Sequence, residues 1–210
     1  MGIVFIATPG TEPLQDPIDL LATLEEAAAA PMRPEYVAET VIVPRMPDDG
    51  HSHGACELSF QLHSAGVVHT GMGNGYRVAD ENGDTTALLI PDFYVRRRKA
   101  TELDESYRET HKGWYPIDMI ALVGEVTSTN HWTDTGPKLH TYAAAGVPVY
   151  VLINRNAKTA HCYTDPIPPG DDAPTGAYYD SEIKVDLGHP LPLPAPYPAL
   201  DTAAFLETAD

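Results

Sequence analysis

The apolar run at residues 117–127, IDMIALVGEVT, constrains the fold more than any other part of the chain. Its length and composition predict a buried strand. Because successive side chains of a strand point to opposite faces, every second residue shares a face. One face carries Met119, Ala121, Val123, Glu125 and Thr127. A carboxylate among such neighbours is costly unless it is paired or binds a cation, so Glu125 is the first candidate functional residue.

A second acid stands in a similar place. Asp92 follows the apolar residues LLIP at 88–91 and precedes FYV at 93–95. Two acids that each end a hydrophobic strand can hold one divalent ion together, and Mg²⁺ and Mn²⁺ prefer carboxylate oxygen and keep several water ligands. A water acidified by such an ion is a nucleophile for phosphodiester hydrolysis. Asp92 and Glu125 are therefore the predicted metal ligands.

This chemistry also needs a cation near the charge that develops on the phosphate. Lys138 lies in the first turn of a predicted helix over residues 137–145, after the strand that carries Glu125. A strand, a short loop and a returning helix can bring its ammonium back over the strand end, where it would neutralise the phosphate or orient the attacking water. The alternative interpretation is an ordinary exposed ion pair with Asp134, one helical turn earlier.

Elsewhere in the chain, hydrophobic periodicity and turn residues predict short helices and short strands. Helices are predicted over 16–30 and 53–64, and strands over 39–44, 66–70, 76–79, 87–95, 148–154 and 158–164. A loop or a short helix is predicted over the charged residues 96–116. An extended arm with one strand at 178–185 is predicted over the proline-rich segment 165–198. Strands and helices alternate only partly, which favours an α/β fold with a mixed sheet. The length fits a single domain over 1–210, with a core at about 16–164 and a C-terminal arm at 165–210.

The charge balance limits the functions that the chain can have. Asp and Glu number 30 against 13 Lys and Arg, for a formal charge of −17. This charge disfavours tight non-specific binding to nucleic acid, which depends on Lys and Arg displacing counterions, and it suits a site that gathers cations.

The two cysteines show neither a disulfide framework nor metal-ligand spacing. No apolar run approaches the roughly 18 residues of a membrane span, and no signal-peptide pattern is present, so the predicted location is cytoplasmic.

Three further motifs have both a functional and a structural interpretation. The basic run RRRK at 96–99 is either a solvated loop or a phosphate-contacting patch. His51 and His53 lie in a glycine-flanked turn, and no further His or Cys stands at the spacing of a transition-metal site. Tyr142 is expected to pack its helix rather than to take part in catalysis.

The run EVTSTNHWTDTGPKLHTYAAAGVPVYVLIN at 125–154 resembles the signature of the Uma-two family of restriction endonuclease-like proteins. The shared pattern is a Glu-Val-x-Ser strand end, a downstream Asp, a Lys and a Tyr on a helix, then Gly-Val-Pro and a hydrophobic strand. Other matching features are the Pro-Asp pair before FYV, PEYVAETVIV at 34–43 with its Glu35, His53, and GHPLPLPAPYPALDTAAF at 188–205. The resemblance spans residues 20 to 206.

The Uma-two family belongs to the PD-(D/E)xK nuclease superfamily, and the resemblance carries several expectations. It implies a restriction-endonuclease-like core with a central mixed β-sheet flanked by helices, here followed by the proline-rich arm. It implies metal binding by Asp92 and Glu125, with Glu35 as a third acid of the catalytic set. The superfamily's lysine, expected two residues after Glu125, is replaced by Thr127, and Lys138 fits the displaced lysine of other members.

The sequence therefore predicts an endonuclease that hydrolyses phosphodiester bonds in DNA with Mg²⁺ or Mn²⁺, using Asp92, Glu125, Lys138 and Glu35. Two alternatives stay open: a catalytically silent nuclease-fold module for binding or interaction, and a metal hydrolase with a substrate other than nucleic acid. Thr127 and the −17 charge favour the silent module. No membrane partner is expected, and a homodimer stays open as an assembly.

Overall fold

The computed structural model describes residues 4–6, 16–44, 46–127, 131–170 and 176–206. The helices are α1 (Pro17–Ala27), α2 (Asp49–Ser64), α3 (Glu102–Thr110), α4 (His131–Thr135) and α5 (Pro137–Ala144). The strands are β1 (Val4–Ile6), β2 (Glu35–Val37), β3 (Thr40–Ile42), β4 (Thr70–Gly71), β5 (Gly75–Ala79), β6 (Thr85–Leu89), β7 (Phe93–Arg96), β8 (Trp114–Pro116), β9 (Ile120–Val126), β10 (Val149–Asn154), β11 (Thr159–Ile167) and β12 (Tyr178–Asp186).

The chain divides into two compact units. The first contains residues 1–46, 74–90 and 100–117, and the second contains 47–73, 91–99 and 118–210. Each unit has a mixed sheet of its own, where the sequence predicts one central sheet. The predicted α/β class with mixed sheets flanked by helices is confirmed. The single-domain organisation over 1–210 stays a prediction.

The sheet of the first unit has the order β1-β3-β2-β6-β5-β8, in which β5 and β8 run parallel. α1, predicted over 16–30, begins after Asp16, whose side chain accepts a hydrogen bond from the Ile18 N–H at 2.8 Å. Such a cap satisfies one of the N–H groups that a helix start leaves without a partner. The buried core of this unit contains Ile18, Leu21, Val41, Leu88 and Trp114.

The predicted strand at 39–44 is part of a hairpin in the structure. β2 and β3 pair antiparallel through Tyr36 and Val41, and the turn between them consists of Ala38 and Glu39. Both turn residues have positive φ, 49° and 58°. This is the twist that two-residue hairpins favour, although Asn and Gly are its usual residues. The sequence shows no such turn signal, so β2 was not predicted.

The sheet of the second unit has the order β12-β11-β10-β9-β7-β4, in which β9 and β10 run parallel. α5 connects these two parallel strands along the chain, which is the expected crossover for such a pair. The predicted proline-rich arm packs on this unit, since Leu191 and Leu200 are fully buried and exchange two backbone hydrogen bonds. Residues 171–175 and 207–210 of the predicted arm lie outside the described residues.

The predicted strand at 87–95 is interrupted at Pro91. β6 pairs in the first unit's sheet, and β7 pairs antiparallel with β9 in the second. Pro91 has no N–H to donate to a sheet, which favours such an interruption. In β7, the ring of Phe93 lies over Gly124, its partner residue in β9. A Cβ at position 124 would lie 2.0 Å from the ring of Phe93, so only glycine allows this approach.

Three other predictions needed correction. α2 begins at Asp49 rather than at residue 53, because Asp48 caps it by accepting a hydrogen bond from the His51 N–H at 2.8 Å. The strand predicted at 66–70 is the two-residue β4. The short helix predicted as one alternative for the segment 96–116 is α3, but the segment also contains β8, which was not predicted. Within the described ranges, none of the helices has the length and apolar character needed to cross a membrane.

Candidate functional site

Glu125 lies near the end of β9, opposite Leu152 of the parallel strand β10. Its residue surface is 2% exposed, so the carboxylate is removed from water. Its Oε1 accepts hydrogen bonds from the Lys138 ammonium at 3.2 Å and from the Tyr142 hydroxyl at 2.9 Å. Both donors come from α5. The helix that follows the strand thus returns over its end, as the sequence predicts for Lys138.

Lys138 is buried between two acids. Its Nζ lies 3.2 Å from Glu125 Oε1 and 3.8 Å from Asp134 Oδ1. All three residues are less than a tenth exposed. The ion pair between Lys138 and Asp134 is therefore buried, whereas the sequence suggested an exposed pair as the alternative. It is present in addition to the ion pair between Lys138 and Glu125. The Lys138 side chain points toward Glu125, as predicted.

Two tyrosines enclose this cluster. Tyr142 and Tyr150 are fully buried, with ring centroids 5.4 Å apart. The Tyr150 hydroxyl donates to the backbone carbonyl of Asp134 at 2.7 Å and so holds α4 in place. Burial raises the pKa of Tyr150, and the charge of Glu125 raises it further, so this hydroxyl stays protonated as a donor. Tyr142 packs its helix as predicted, but it is also a hydrogen-bond donor to Glu125, which the sequence analysis missed.

Asp92 immediately precedes β7, the strand that pairs with β9. The predicted adjacency of the strands carrying Asp92 and Glu125 is confirmed. Asp92 Oδ2 accepts a hydrogen bond from the Val126 N–H at 2.7 Å and lies 3.1 Å from His51 Nε2. Both contacts fall on the same oxygen. The Asp92 side chain is 23% exposed, so it is accessible to solvent to a greater degree than Glu125.

His51 is the residue of this site that the sequence analysis did not recognise. It lies in the first turn of α2 and is buried, whereas His53, which matches the family's histidine in the sequence, is exposed. Burial lowers the pKa of His51, but the hydrogen bond and the charge of Asp92 raise it, and the net direction is upward. Its Nδ1 has no hydrogen-bond partner among the described residues. Asp48 is the sequence signal that could have identified it, because a helix cap at Asp48 places His51 in the first turn of a helix.

Thr127, which stands at the superfamily's lysine position, has a structural contact of its own. It is buried, and its Oγ1 accepts a hydrogen bond from the Arg155 N–H at 3.0 Å. The Arg155 guanidinium in turn lies 2.9 Å from Asp48 Oδ2. That contact lowers the pKa of Asp48. Thr127 therefore anchors the turn after β10, and Arg155 links this turn to the cap of α2.

Glu35, the predicted third acid, lies in β2 of the first unit. It is buried, and its Oε1 accepts a hydrogen bond from the Ile90 N–H at 2.6 Å. This contact gives Glu35 a structural role, and its catalytic role stays a prediction. In the second unit, residues 97–99 of the basic run are exposed after β7. The run begins at Arg96, four residues after Asp92, and four residues of extended chain span roughly 13 Å, so the run begins at the far end of β7 from Asp92.

The described part of the chain contains no group of three or more His, Cys, Asp and Glu side chains that could hold a metal ion. A closed protein cage is therefore absent there. Mg²⁺ is commonly bound by one or two carboxylates, with waters and substrate phosphate completing the shell. Asp92 and Glu125 supply oxygen donors of that kind, and each is next in the chain to a member of the Phe93–Gly124 pair of β7 and β9. The donor set fits an ion of this class.

Comparison with known proteins identifies the family. The model of Uma2, described as "Putative restriction endonuclease", matches residues 20–195. The chain belongs to the Uma2 family. Among solved structures, the chain is similar to "a putative nuclease belonging to DUF820 from Anabaena variabilis ATCC 29413", with a TM-score of 0.58 and 14% identity over 88% of this chain and 96% of that one. At this identity the likeness shows the fold. No curated protein matches. The predicted Uma-two membership and the restriction-endonuclease-like fold are thus confirmed.

Proposed function

We propose that this Uma2 protein is an endonuclease that hydrolyses phosphodiester bonds in DNA with Mg²⁺ or Mn²⁺. The nuclease class comes from the family. The observation that carries the proposal is the buried contact of 3.2 Å between Lys138 and Glu125, on the strand that pairs with β7. A carboxylate, an ammonium and the neighbouring Asp92 are the parts that metal-assisted phosphodiester hydrolysis requires.

Each residue has a distinct part in this proposal. Asp92 and Glu125 would hold the ion, which when bound supplies a Lewis acid that acidifies a water molecule. Glu125 and Asp134 hold the Lys138 ammonium between them, so it is a preoriented positive charge for the phosphate in the transition state. The Tyr142 hydroxyl restrains Glu125 by donating to the same oxygen as Lys138. Glu35 is the predicted third acid.

The location of the basic run bears on the substrate. Residues 97–99 follow β7 and are exposed, so they can contact a polyanion without contacting the scissile phosphate. A polymer such as DNA reaches both places, because its phosphates repeat along the strand. The distance between the basic run and Asp92 therefore supports DNA rather than a small phosphoester as the substrate. It also agrees with the interpretation of the run as a phosphate-contacting patch.

A catalytically silent nuclease-fold module is the second candidate. One observation favours it: the charge of Glu125 is already compensated inside the protein by Lys138, and its side chain is 3% exposed. A metal ion at Glu125 would have to share that carboxylate with the ammonium. The two candidates differ in whether the protein cleaves DNA at all, so a cleavage assay separates them.

The deciding experiment is a cleavage assay on supercoiled plasmid, linear duplex and single-stranded DNA, each with Mg²⁺, with Mn²⁺ and with EDTA. The variants are Asp92→Asn, Glu35→Gln and the matched control Asp180→Asn, which changes an exposed acid of β12. We expect metal-dependent cleavage by the wild type and the control, and none by Asp92→Asn. Loss in Glu35→Gln would assign the third acid. Absence of wild-type cleavage on every substrate, or full activity of Asp92→Asn, would overturn the proposal.

A further inference from the structure

We propose that His51 is the positioning residue of Asp92. Its Nε2 and the Val126 N–H both hold the Oδ2 atom of that carboxylate, and this orients the other oxygen, Oδ1, toward a divalent ion. The inference rests on the proposed function in one respect, which is that Asp92 is taken as a metal ligand. It concerns a residue to which neither the sequence analysis nor the proposed mechanism assigns a function.

The histidine side chain is not needed for the start of α2. The cap uses the backbone N–H of His51, which any residue except proline would supply to Asp48. The ring itself is buried, its Nε2 contacts Asp92, and its Nδ1 has no partner among the described residues. Buried polar atoms in proteins are nearly always paired. An apolar side chain would fill this space without leaving such an atom, so the contact with Asp92 is what distinguishes histidine here.

The two donors to Asp92 come from different elements. Val126 belongs to β9 and donates at 2.7 Å, and His51 belongs to α2 and lies at 3.1 Å. A carboxylate with a single donor can turn about its Cβ–Cγ bond, whereas two donors from separate directions restrict that rotation. Partners that orient metal-binding side chains in this way commonly raise metal affinity.

The backbone of His51 belongs to a closed set of contacts that leads back to β9. Its N–H donates to Asp48, which lies 2.9 Å from the Arg155 guanidinium. The Arg155 N–H donates to Thr127, which follows Val126, the last residue of β9. The set begins and ends at the end of β9, so it ties the backbone of His51 to that strand end. A residue that positions Asp92 requires such an attachment.

The first test needs neither metal nor DNA. The amide proton of Val126 reports directly on Asp92, because it donates to Oδ2. In NMR spectra of the metal-free protein, we expect His51→Leu to shift the Val126 amide resonance and to speed its exchange with solvent. His53→Leu, a matched change of an exposed histidine in the same helix turn, should leave it unchanged. An unmoved Val126 resonance in folded His51→Leu would overturn the inference.

The second test measures the dissociation constant of Mn²⁺ by calorimetry. We expect His51→Leu to weaken binding about 10–100-fold, which is typical for the loss of a residue that orients a metal ligand. His51→Gln should bind nearly as the wild type, since its amide can place an N–H where Nε2 lies. His51→Asn should not, since its amide reaches only as far as Nδ1. The Gln and Asn variants keep a polar side chain and cover the case in which His51→Leu does not fold.

The outcomes separate this inference from the proposed function. Equal Mn²⁺ affinity of the wild type and His51→Asn would overturn the inference while leaving the nuclease proposal standing. If the Val126 resonance shifts in His51→Leu but the wild type does not bind Mn²⁺, the contact by which His51 orients Asp92 would be supported and the proposed function overturned.

Discussion

The ammonium of Lys138 lies 3.2 Å from the carboxylate of Glu125, and both groups are buried. Lys138 follows Glu125 by thirteen residues in the chain. Removing one partner of a buried pair leaves an uncompensated charge in the interior, which typically costs about 3–5 kcal/mol. We therefore expect Lys138→Met to lower the free energy of unfolding by roughly that amount in urea titrations. The double variant Glu125→Gln/Lys138→Met removes both charges of this pair and should recover part of the loss, while the neighbouring Asp134 keeps its charge. A double variant no more stable than Lys138→Met would argue against the pair as the cause.

Asp92 leads to a prediction about metal and stability. A ligand that binds only the folded state stabilises it by mass action, by about 2.7 kcal/mol at a concentration one hundred times its dissociation constant. We expect Mg²⁺ and Mn²⁺ to raise the melting temperature of the wild type, and Asp92→Asn to abolish the increase. The measurement is a thermal melt with and without metal. An equal increase in Asp92→Asn would remove Asp92 from the metal site.

The hydroxyl of Thr127 leads to a prediction that distinguishes its role from that of a lost catalytic lysine. Thr127→Val keeps the shape but leaves the Arg155 N–H without its acceptor, and such an unpaired group costs about 1–3 kcal/mol. Thr127→Ser retains the acceptor and should stay close to the wild type. Denaturant unfolding of both variants measures the difference. Equal stability of the two would mean that the hydrogen bond contributes nothing.

Gly124 is required by the contact between β7 and β9. A Cβ there would lie 2.0 Å from the ring of Phe93, and overpacking of this kind costs about 1–3 kcal/mol. We expect Gly124→Ala to be destabilised, with Gly124→Ala/Phe93→Leu partly restored because the smaller side chain makes room. Gly170→Ala is the matched control, since nothing lies within 4 Å of its added Cβ. Thermal melts compare the three variants, and an unaffected Gly124→Ala would contradict the packing.

Cys162 leads to a pH prediction. Burial raises the pKa of the Cys162 thiol from 9.0 to about 11, and the thiolate is the reactive form. At pH 8 we expect an alkylating reagent to modify the exposed Cys56 and to spare Cys162. Because the shift is upward, Cys162 should become reactive only as the pH rises between 9 and 11. Mass spectrometry of the labelled protein, with the denatured chain as the control, checks both residues, and rapid labelling of native Cys162 at pH 8 would contradict its burial.

The sequence by itself determined the elements that carry the candidate site. The apolar runs ending at Glu125 and preceding Asp92 are local patterns, and so are the proline and glycine that delimit α5. Local patterns encode whether a segment is a strand or a helix, since they depend on the period of the apolar residues. From these, the adjacency of the two strands and the direction of Lys138 followed correctly.

Apart from the contact of Lys138 with Glu125, only the tertiary structure decided which polar groups meet. His51 and Asp92 are distant in sequence, and nothing local distinguishes His51 from His53 except the cap that starts α2. The burial of Asp134 and the hydrogen bond from Arg155 to Thr127 likewise depend on how α4 and the β10–β11 turn pack against β9. The physical reason is that a hydrogen bond between separate elements depends on sheet register and helix placement. Those result from the packing of the whole unit and not from the periodicity of any one segment.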